Sequence, residues 1–205
     1  TVADFRAPAS FARSGVFDVL DPLYGGVADC TGTAGTDNTV AFQSAINAAL
    51  VQRSKVVFDG WLCIGTQLQI TLLTYDQGLT IEGRRWDRTP NVATIPVNSD
   101  SRLFFTSTDV TKATIRVNQK VFSVGGSFTP LILRDFGVQA GNNQRGLTTG
   151  IKAYGIPLQV FNVGANFFDI GWDIEEVNGL HMYSPSAQYN KSINMKLTFV
   201  AEPVI

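Results

Sequence analysis

The chain has 205 residues, a formal net charge of −1 and only 16% charged residues. That length allows one domain with a sizeable core, and the near-neutral charge excludes a surface built to neutralise nucleic-acid phosphates. Its apolar runs fall well short of the roughly 18 residues that a membrane span needs.

There is no positively charged leader followed by an apolar stretch, and Thr1 is compatible both with a removed leader and with an excised initiator Met. With few charges, 19 glycines and 14 phenylalanines point to sheet with tight corners.

Residues 1–15 lack periodicity and read as a lead-in or attachment arm, which leaves residues 16–205 as the body. A Gly-rich turn, Tyr24-Gly25-Gly26-Val27-Ala28-Asp29, leads to Thr36-Asp37-Asn38-Thr39. A helix is predicted from Val40 to Val51, with Asp37 or Asn38 as N-cap. Its apolar side would comprise Val40, Ala41, Ala45, Ile46, Ala48, Ala49 and Leu50, with Phe42 beside them. Laid across the open end of a sheet stack, it would hide edge amides. Short strands are predicted at Val56-Val57-Phe58, Leu62-Cys63-Ile64 and Leu79-Thr80-Ile81-Glu82-Gly83. Cys30, in the loop before the helix, and Cys63 admit either a disulfide or two free thiols; the second is the plainer reading, one thiol packing as a small apolar side chain.

Beyond Gly83 the sequence reads as short strands separated by turns, with no second helix. Arg84-Arg85-Trp86-Asp87-Arg88-Thr89-Pro90 reads as a loop. Strands are predicted at Leu103-Phe104-Phe105, Thr114-Ile115-Arg116-Val117, Val121-Phe122-Ser123-Val124 and Leu131 to Val138, and Gly141 to Arg145 form a polar insertion. Gly150-Ile151-Lys152-Ala153-Tyr154 and Gly171-Trp172-Asp173-Ile174-Glu175 then repeat one alternation 21 positions apart; Leu158-Gln159-Val160 and Leu180-His181-Met182 follow 22 apart. A last strand is predicted at Leu197-Thr198-Phe199-Val200, after a turn from Gln188 to Asn194. A period near 20 residues suits one coil of a parallel β-helix, whereas a βαβ fold would need helices between these strands.

The order from Phe17 to Gly83 resembles the N-terminal cap and first coil of the pectate-lyase-like, right-handed parallel β-helix family. That family pattern runs from an aromatic residue through Gly-Asp-Gly and Asp-Asp-Thr to an Ala-rich helix. This chain departs from it at Gly26-Val27-Ala28-Asp29 and in the lengthened loop from Cys30 to Gly35. Leu133-Arg134-Asp135-Phe136-Gly137-Val138, Gly150-Ile151 and Val160-Phe161-Asn162-Val163 likewise resemble rungs of phage tailspikes. The resemblance implies an all-β solenoid, a right-handed parallel β-helix with an N-terminal capping α-helix. It implies a tailspike or tail-fibre-like virion protein, typically homotrimeric and without a cofactor. Such a protein attaches to host surface polysaccharide, with residues 1–15 docking to tail or baseplate proteins. The alternatives are a secreted polysaccharide lyase or glycoside hydrolase, and a carbohydrate binder without turnover. Most enzymes of the family are longer, so catalytic coils would be expected beyond Ile205 or not at all.

Asp173 and Glu175 form the best catalytic pair. They alternate with Trp172 and Ile174 and so face outward from a strand, their backbones roughly 6.5–7 Å apart, within the roughly 6.5–9.5 Å carboxyl separation of inverting glycosidases. The 21-residue echo supplies the preferred account: Lys152 stacks on Asp173 and Tyr154 on Glu175, making a salt bridge and a hydrogen bond. Asp135 and Asp169 offer too few oxygens for calcium, and no Cys–His spacing suggests another metal. His181 should face outward as an ordinary surface residue. Gly25-Gly26 and Gly125-Gly126 read as turns, not phosphate loops. For substrate binding, Arg84, Arg85, Trp86 and Arg88 join a sugar-stacking ring to guanidiniums that grip carboxylates; alternatively Trp86 tucks over the first coils while the arginines solvate a loop. Asn142, Asn143, Gln144 and Arg145 make a similar claim as a projecting loop.

Overall fold

The computed structural model describes residues 15–73, 77–86, 100–119, 129–141, 145–177 and 179–198. These hold one helix, α1 (Thr39–Gln52), and thirteen short strands. Strands β1 (Val16–Asp18), β2 (Lys55–Phe58), β3 (Trp61–Ile64), β5 (Leu79–Gly83), β6 (Arg102–Phe105), β8 (Leu131–Ala140), β10 (Leu158–Asn166) and β12 (Leu180–Tyr183) form one sheet. Strands β4 (Leu68–Leu72), β7 (Ala113–Gln119), β9 (Thr149–Tyr154), β11 (Ile170–Glu175) and β13 (Ile193–Thr198) form the other. The protein is therefore mostly β, and the ladders in both sheets are parallel. From β8 onward, successive strands alternate between the two sheets.

The core is written as columns of like side chains. Val56, Ile81, Leu133, Val160 and Met182 are register neighbours across the first sheet. Ile70, Val117, Ala153, Ile174 and Leu197 are neighbours across the second. All but Leu197 are buried in one continuous apolar cluster. A one-residue slip would turn each column to the solvent, so burial fixes the register. Phe42 of α1, Phe58 and Phe136 carry the core to the helix through edge-to-face contacts at 5.3 and 5.5 Å.

The helix buries Thr39, Ala41, Phe42, Ala45, Ile46 and Ala49 and packs on β1, β2 and β4. Val40, expected on that face, is instead 79% exposed. Its turn-to-turn neighbours Ser44, Asn47 and Val51 share the outer side, and the apolar stripe is narrower than a reading of apolar positions suggests. Asn38 holds the N-cap position without a side-chain cap bond; Asp37, one residue earlier, supplies the acceptor instead, its Oδ1 taking the Thr39 amide at 2.9 Å and the Thr39 hydroxyl at 2.6 Å. Asn38 turns the other way. Its Oδ1 accepts from the Val27 amide at 2.7 Å, and its Nδ2 donates to the Val27 and Thr36 carbonyls. It thereby ties the Gly-rich turn to the helix.

Cys30 and Cys63 are joined in a disulfide, which corrects the expectation of two free thiols. A parallel bridge between Asp37 and Cys63, and a 3.1 Å bond from the Cys30 amide to the Trp61 carbonyl, bring the loop alongside β3. Sequence spacing alone carried no sign of that docking.

The halves of β8 pair with different partners: Leu131 to Arg134 with β5, and Gly137 to Ala140 with β6. Two short strands in the early layers thus become one bent strand in β8 and β10. The bend falls at Asp135 and Asn162, which lie opposite each other with φ of 57° and 54°, and Ser184 follows at 55°. Asp and Asn tolerate this left-handed geometry better than most residues, and Asn162 Nδ2 donates to Asp135 Oδ1 at 3.0 Å. The predicted strand Val121–Val124 and the arm before Gly15 lie outside the described residues, as do Phe199 and Val200 of the last predicted strand.

Candidate functional site

Alternation along the five-stranded sheet sends every second side chain outward. One outward column reads Gln69, Arg116, Lys152, Asp173 and Lys196; the next reads Thr71, Asn118, Tyr154, Glu175 and Thr198. Lys152 and Asp173 are therefore strand neighbours, as their 21-residue spacing predicts. Lys152 Nζ lies 2.8 Å from Asp173 Oδ2 and 3.5 Å from Glu175 Oε1. Lys196 Nζ lies 3.1 Å from Asp173 Oδ1 and 3.2 Å from Glu175 Oε1. Two ammonium groups thus bracket two carboxylates.

Asp173 faces away from the core yet is buried, because the flanking lysines lie over it. Burial works against its charge, but hydrogen bonds and attraction from Lys152 and Lys196 outweigh that, holding its carboxyl below the usual range. The same contacts, with Asp173 and Glu175, raise the Lys196 ammonium. A carboxyl so held is a poor proton donor at neutral pH. Tyr154 differs from expectation: its hydroxyl donates to Glu176 Oε2 at 2.6 Å rather than to Glu175, and this bond raises the phenol's pKa. Glu176 follows β11 with φ of 52°, and a left-handed residue there interrupts the alternation that would otherwise send it inward. A cleft of about 400 Å³ opens beside these residues, lined by Arg116, Asn118, Lys152, Tyr154 and Glu175.

The loop cluster expected at Arg84, Arg85, Trp86 and Arg88 divides. Arg84 and Arg85 are exposed, Arg84 lying 3.4 Å from Asp18; Arg88 is outside the described residues. Trp86 is only 6% exposed, so its ring is not presented to solvent. It lies over Gly137 and Gly164, neighbours in β8 and β10, where an added Cβ would come within 2.0 and 2.6 Å of the indole. The Arg102 guanidinium stacks 4.7 Å from the same ring. Arg102 is fully buried, pairing with Asp100 at 2.6 Å and donating to Gln139 Oε1 at 2.8 Å. Asp100 also accepts from Trp61 Nε1 at 2.8 Å. The outer face of β3, β6 and the second half of β8 therefore carries its own small core, completed by Cys30, Cys63 and Phe104.

Asn142 lies outside the described residues, while Arg145 is exposed with its guanidinium 4.2 Å over the Phe167 ring. Phe167 in turn stacks on Tyr189 at 5.2 Å. The arrangement recurs: Arg134 lies 4.8 Å over Phe161, which stacks on Tyr183 at 5.0 Å. The 22-residue spacing that pairs Leu158 with Leu180 also pairs Phe161 with Tyr183, so these stacks were available to the sequence reading. Lys196 was harder to find, since it follows Asp173 by two residues more than the echo. His181 lies half-buried on the outward side of β12. Asp135 and Asp169 are engaged by Asn162 and by the Ser192 hydroxyl. Among the described residues no three His, Cys, Asp or Glu side chains gather as a metal site.

No family model matches the chain, and no curated protein matches it. Among solved structures it is similar to ORF18 of Geobacillus virus E2, with a TM-score of 0.58 and 18% sequence identity over 86% of this chain. The match covers 32% of that structure, so the chain spans about a third of its length.

Proposed function

We propose that the chain is a phage virion protein of the tailspike or tail-fibre kind, a right-handed parallel β-helix that attaches to host surface polysaccharide. The observation that carries the reading is the order of the strands. From β8 onward consecutive strands alternate between two all-parallel sheets, and Thr149 pairs with Ile170 and Leu158 with Leu180, about one period away. Stacked coils, about 21 residues each from β9 onward and longer before it, with α1 as their cap, are the reading that these ladders support. The fold likeness to a viral ORF18 favours a phage setting. A buried disulfide suits a protein that works outside a reducing cytosol.

Tyr183 and Tyr189 support attachment to sugar. Both are exposed, at 48% and 69%, and each ends an Arg–Phe–Tyr stack. Such rings give a sugar a flat apolar surface flanked by hydrogen-bond donors. The Asp173–Glu175 pair is engaged by Lys152 and Lys196, so the reading is attachment without turnover at that pair. By the same reading the working form is a homotrimer, with residues 1–15 as the docking arm. The test is labelled protein on a panel of bacterial cells, whole and stripped of surface polysaccharide. Binding is expected on whole cells of a host strain and lost on stripping, with polysaccharide size unchanged by light scattering. Equal binding to stripped cells sinks the attachment reading, and shortened polymer sinks the absence of turnover.

A further inference from the structure

On the outward face of the five-stranded sheet, the cations differ in one respect. Lys152 and Lys196 each hold both Asp173 and Glu175. Arg116 is the register neighbour of Lys152 on the side away from Asp173. It has no ion pair or hydrogen bond among the described residues, and its Nε is shut off from solvent without a partner. A half-buried guanidinium without an acceptor is costly, because desolvation weakens its hydration while nothing replaces it. Its other column neighbour, Gln69, is already committed: its side chain donates to the Ile70 carbonyl and Thr71 hydroxyl and accepts from Gln67. Within the two outward columns Arg116, Lys152 and Lys196 face Asp173 and Glu175, so one positive charge is left over. Glu176, at the corner, is taken by Tyr154.

Arg116 lines the cleft of about 400 Å³ together with Asn118, Lys152, Tyr154 and Glu175. Its neighbours suit a sugar: Asn118 brings an amide, Tyr154 a ring and Glu175 a carboxylate able to accept from hydroxyls. We infer that this cleft is a subsite for an acidic glycan, with Arg116 receiving the oxyanion substituent of one sugar unit. The guanidinium fork matches a carboxylate or sulfate with two parallel hydrogen bonds. Glu175 and the lysine-held Asp173 repel a second anion nearby, which favours a chain whose charges are spaced by neutral units. The inference rests on the polysaccharide reading above and gives it a charge preference.

The experiment titrates oligogalacturonate, dextran sulfate and neutral dextran into the full chain and into its R116Q and R116K variants. The Arg Nε–H signals are followed by NMR and affinities by calorimetry. Wild-type protein is expected to bind one or both anionic chains more tightly than dextran, with the Arg116 Nε–H signal moving. R116Q should lose roughly tenfold to a hundredfold of that affinity, the range for a charge-assisted hydrogen bond. R116K should keep the charge preference in part. The carboxylate and sulfate probes distinguish the two kinds of substituent. Equal affinity of wild type and R116Q, or an unmoved Arg116 signal at saturation, overturns the subsite. Failure to bind any anionic probe overturns it as well. Cell binding by R116Q as strong as by wild type would remove the subsite and leave attachment standing. A moving Arg116 signal without cell binding would do the reverse.

Discussion

Replacing Cys30 and Cys63 by Ala removes a bond that closes a 33-residue segment containing all of α1 and β2. In the chain-entropy account, opening a loop of that size returns about 3.5 to 4 kcal/mol of freedom to the unfolded state at 25 °C. Both sulfurs are buried beside Trp61 and Phe104, so each truncation adds a smaller packing loss, about 1 kcal/mol. The loop contribution dominates, and either single substitution already forfeits it. C30A and C63A should therefore each lower the melting temperature by about 9 to 20 °C, at about 2–4 °C per kcal/mol for a chain of this size. The double variant should fall only slightly further, a large non-additivity. Thermal unfolding by circular dichroism, with intact mass after alkylation to confirm the oxidised state, measures all three. Single variants that melt within about 2 °C of wild type would refute the entropic account. So would losses that simply add, which would mean the two side chains stabilise only by packing.

Gly137→Ala drives a methyl into the Trp86 ring, 2.0 Å from its nearest carbon. It should cost about 1–3 kcal/mol, and a W86A/G137A double variant should recover part of that in urea unfolding. Asp173→Asn should cost about 1–2 kcal/mol at pH 7, because two lysines lose their shared partner. The Asp173 pKa is depressed in the folded state, so its contribution is full above the unfolded value near 3.9 and fades as pH falls through the lower folded value. Stability of D173N should therefore decline less than wild type between about pH 4 and pH 2. Arg102→Ala leaves Asp100 buried without its guanidinium and should cost about 3–5 kcal/mol, read as a lower urea midpoint; Arg102→Met, which fills the space but leaves the same charge, should rescue little.

The later strands were legible because there parallel pairing writes itself as a period, whereas the ladders before β9 join residues 25 to 52 positions apart and carry no such echo. Lys152 and Asp173 are 21 positions apart and prove to be strand neighbours. The helix was found through its alanines and the Asp37 cap, although Val40 was assigned to the wrong side. What escaped the sequence were contacts across that period. Trp86 is followed by charged residues and reads as exposed, yet Gly137 and Gly164 are glycines so that its ring can lie on them. Nothing local ties residue 86 to 137 or 164. The disulfide was hidden in the same way, since the loop holding Cys30 reaches Cys63 only after docking along β3. Arg116 lies in a strand as its sequence predicts, but what the sequence does not show is that Asp173 and Glu175 are held by Lys152 and Lys196, and Glu176 by Tyr154. That is a property of the folded face.

The brackets made by Lys152 and Lys196 around Asp173 and Glu175 span β9, β11 and β13, in the same direction as the interstrand hydrogen bonds. On the other sheet Arg134, Phe161 and Tyr183 span β8, β10 and β12 in that direction too. A pull normal to the strands must therefore strain backbone bonds, ion pairs and ring contacts on both sheets together. Sliding along the strands would instead have to drag every apolar column out of register. The molecule resists tension as a laminate does, with its fasteners shared among layers, and it would pass a load from one end to the other with little stretch.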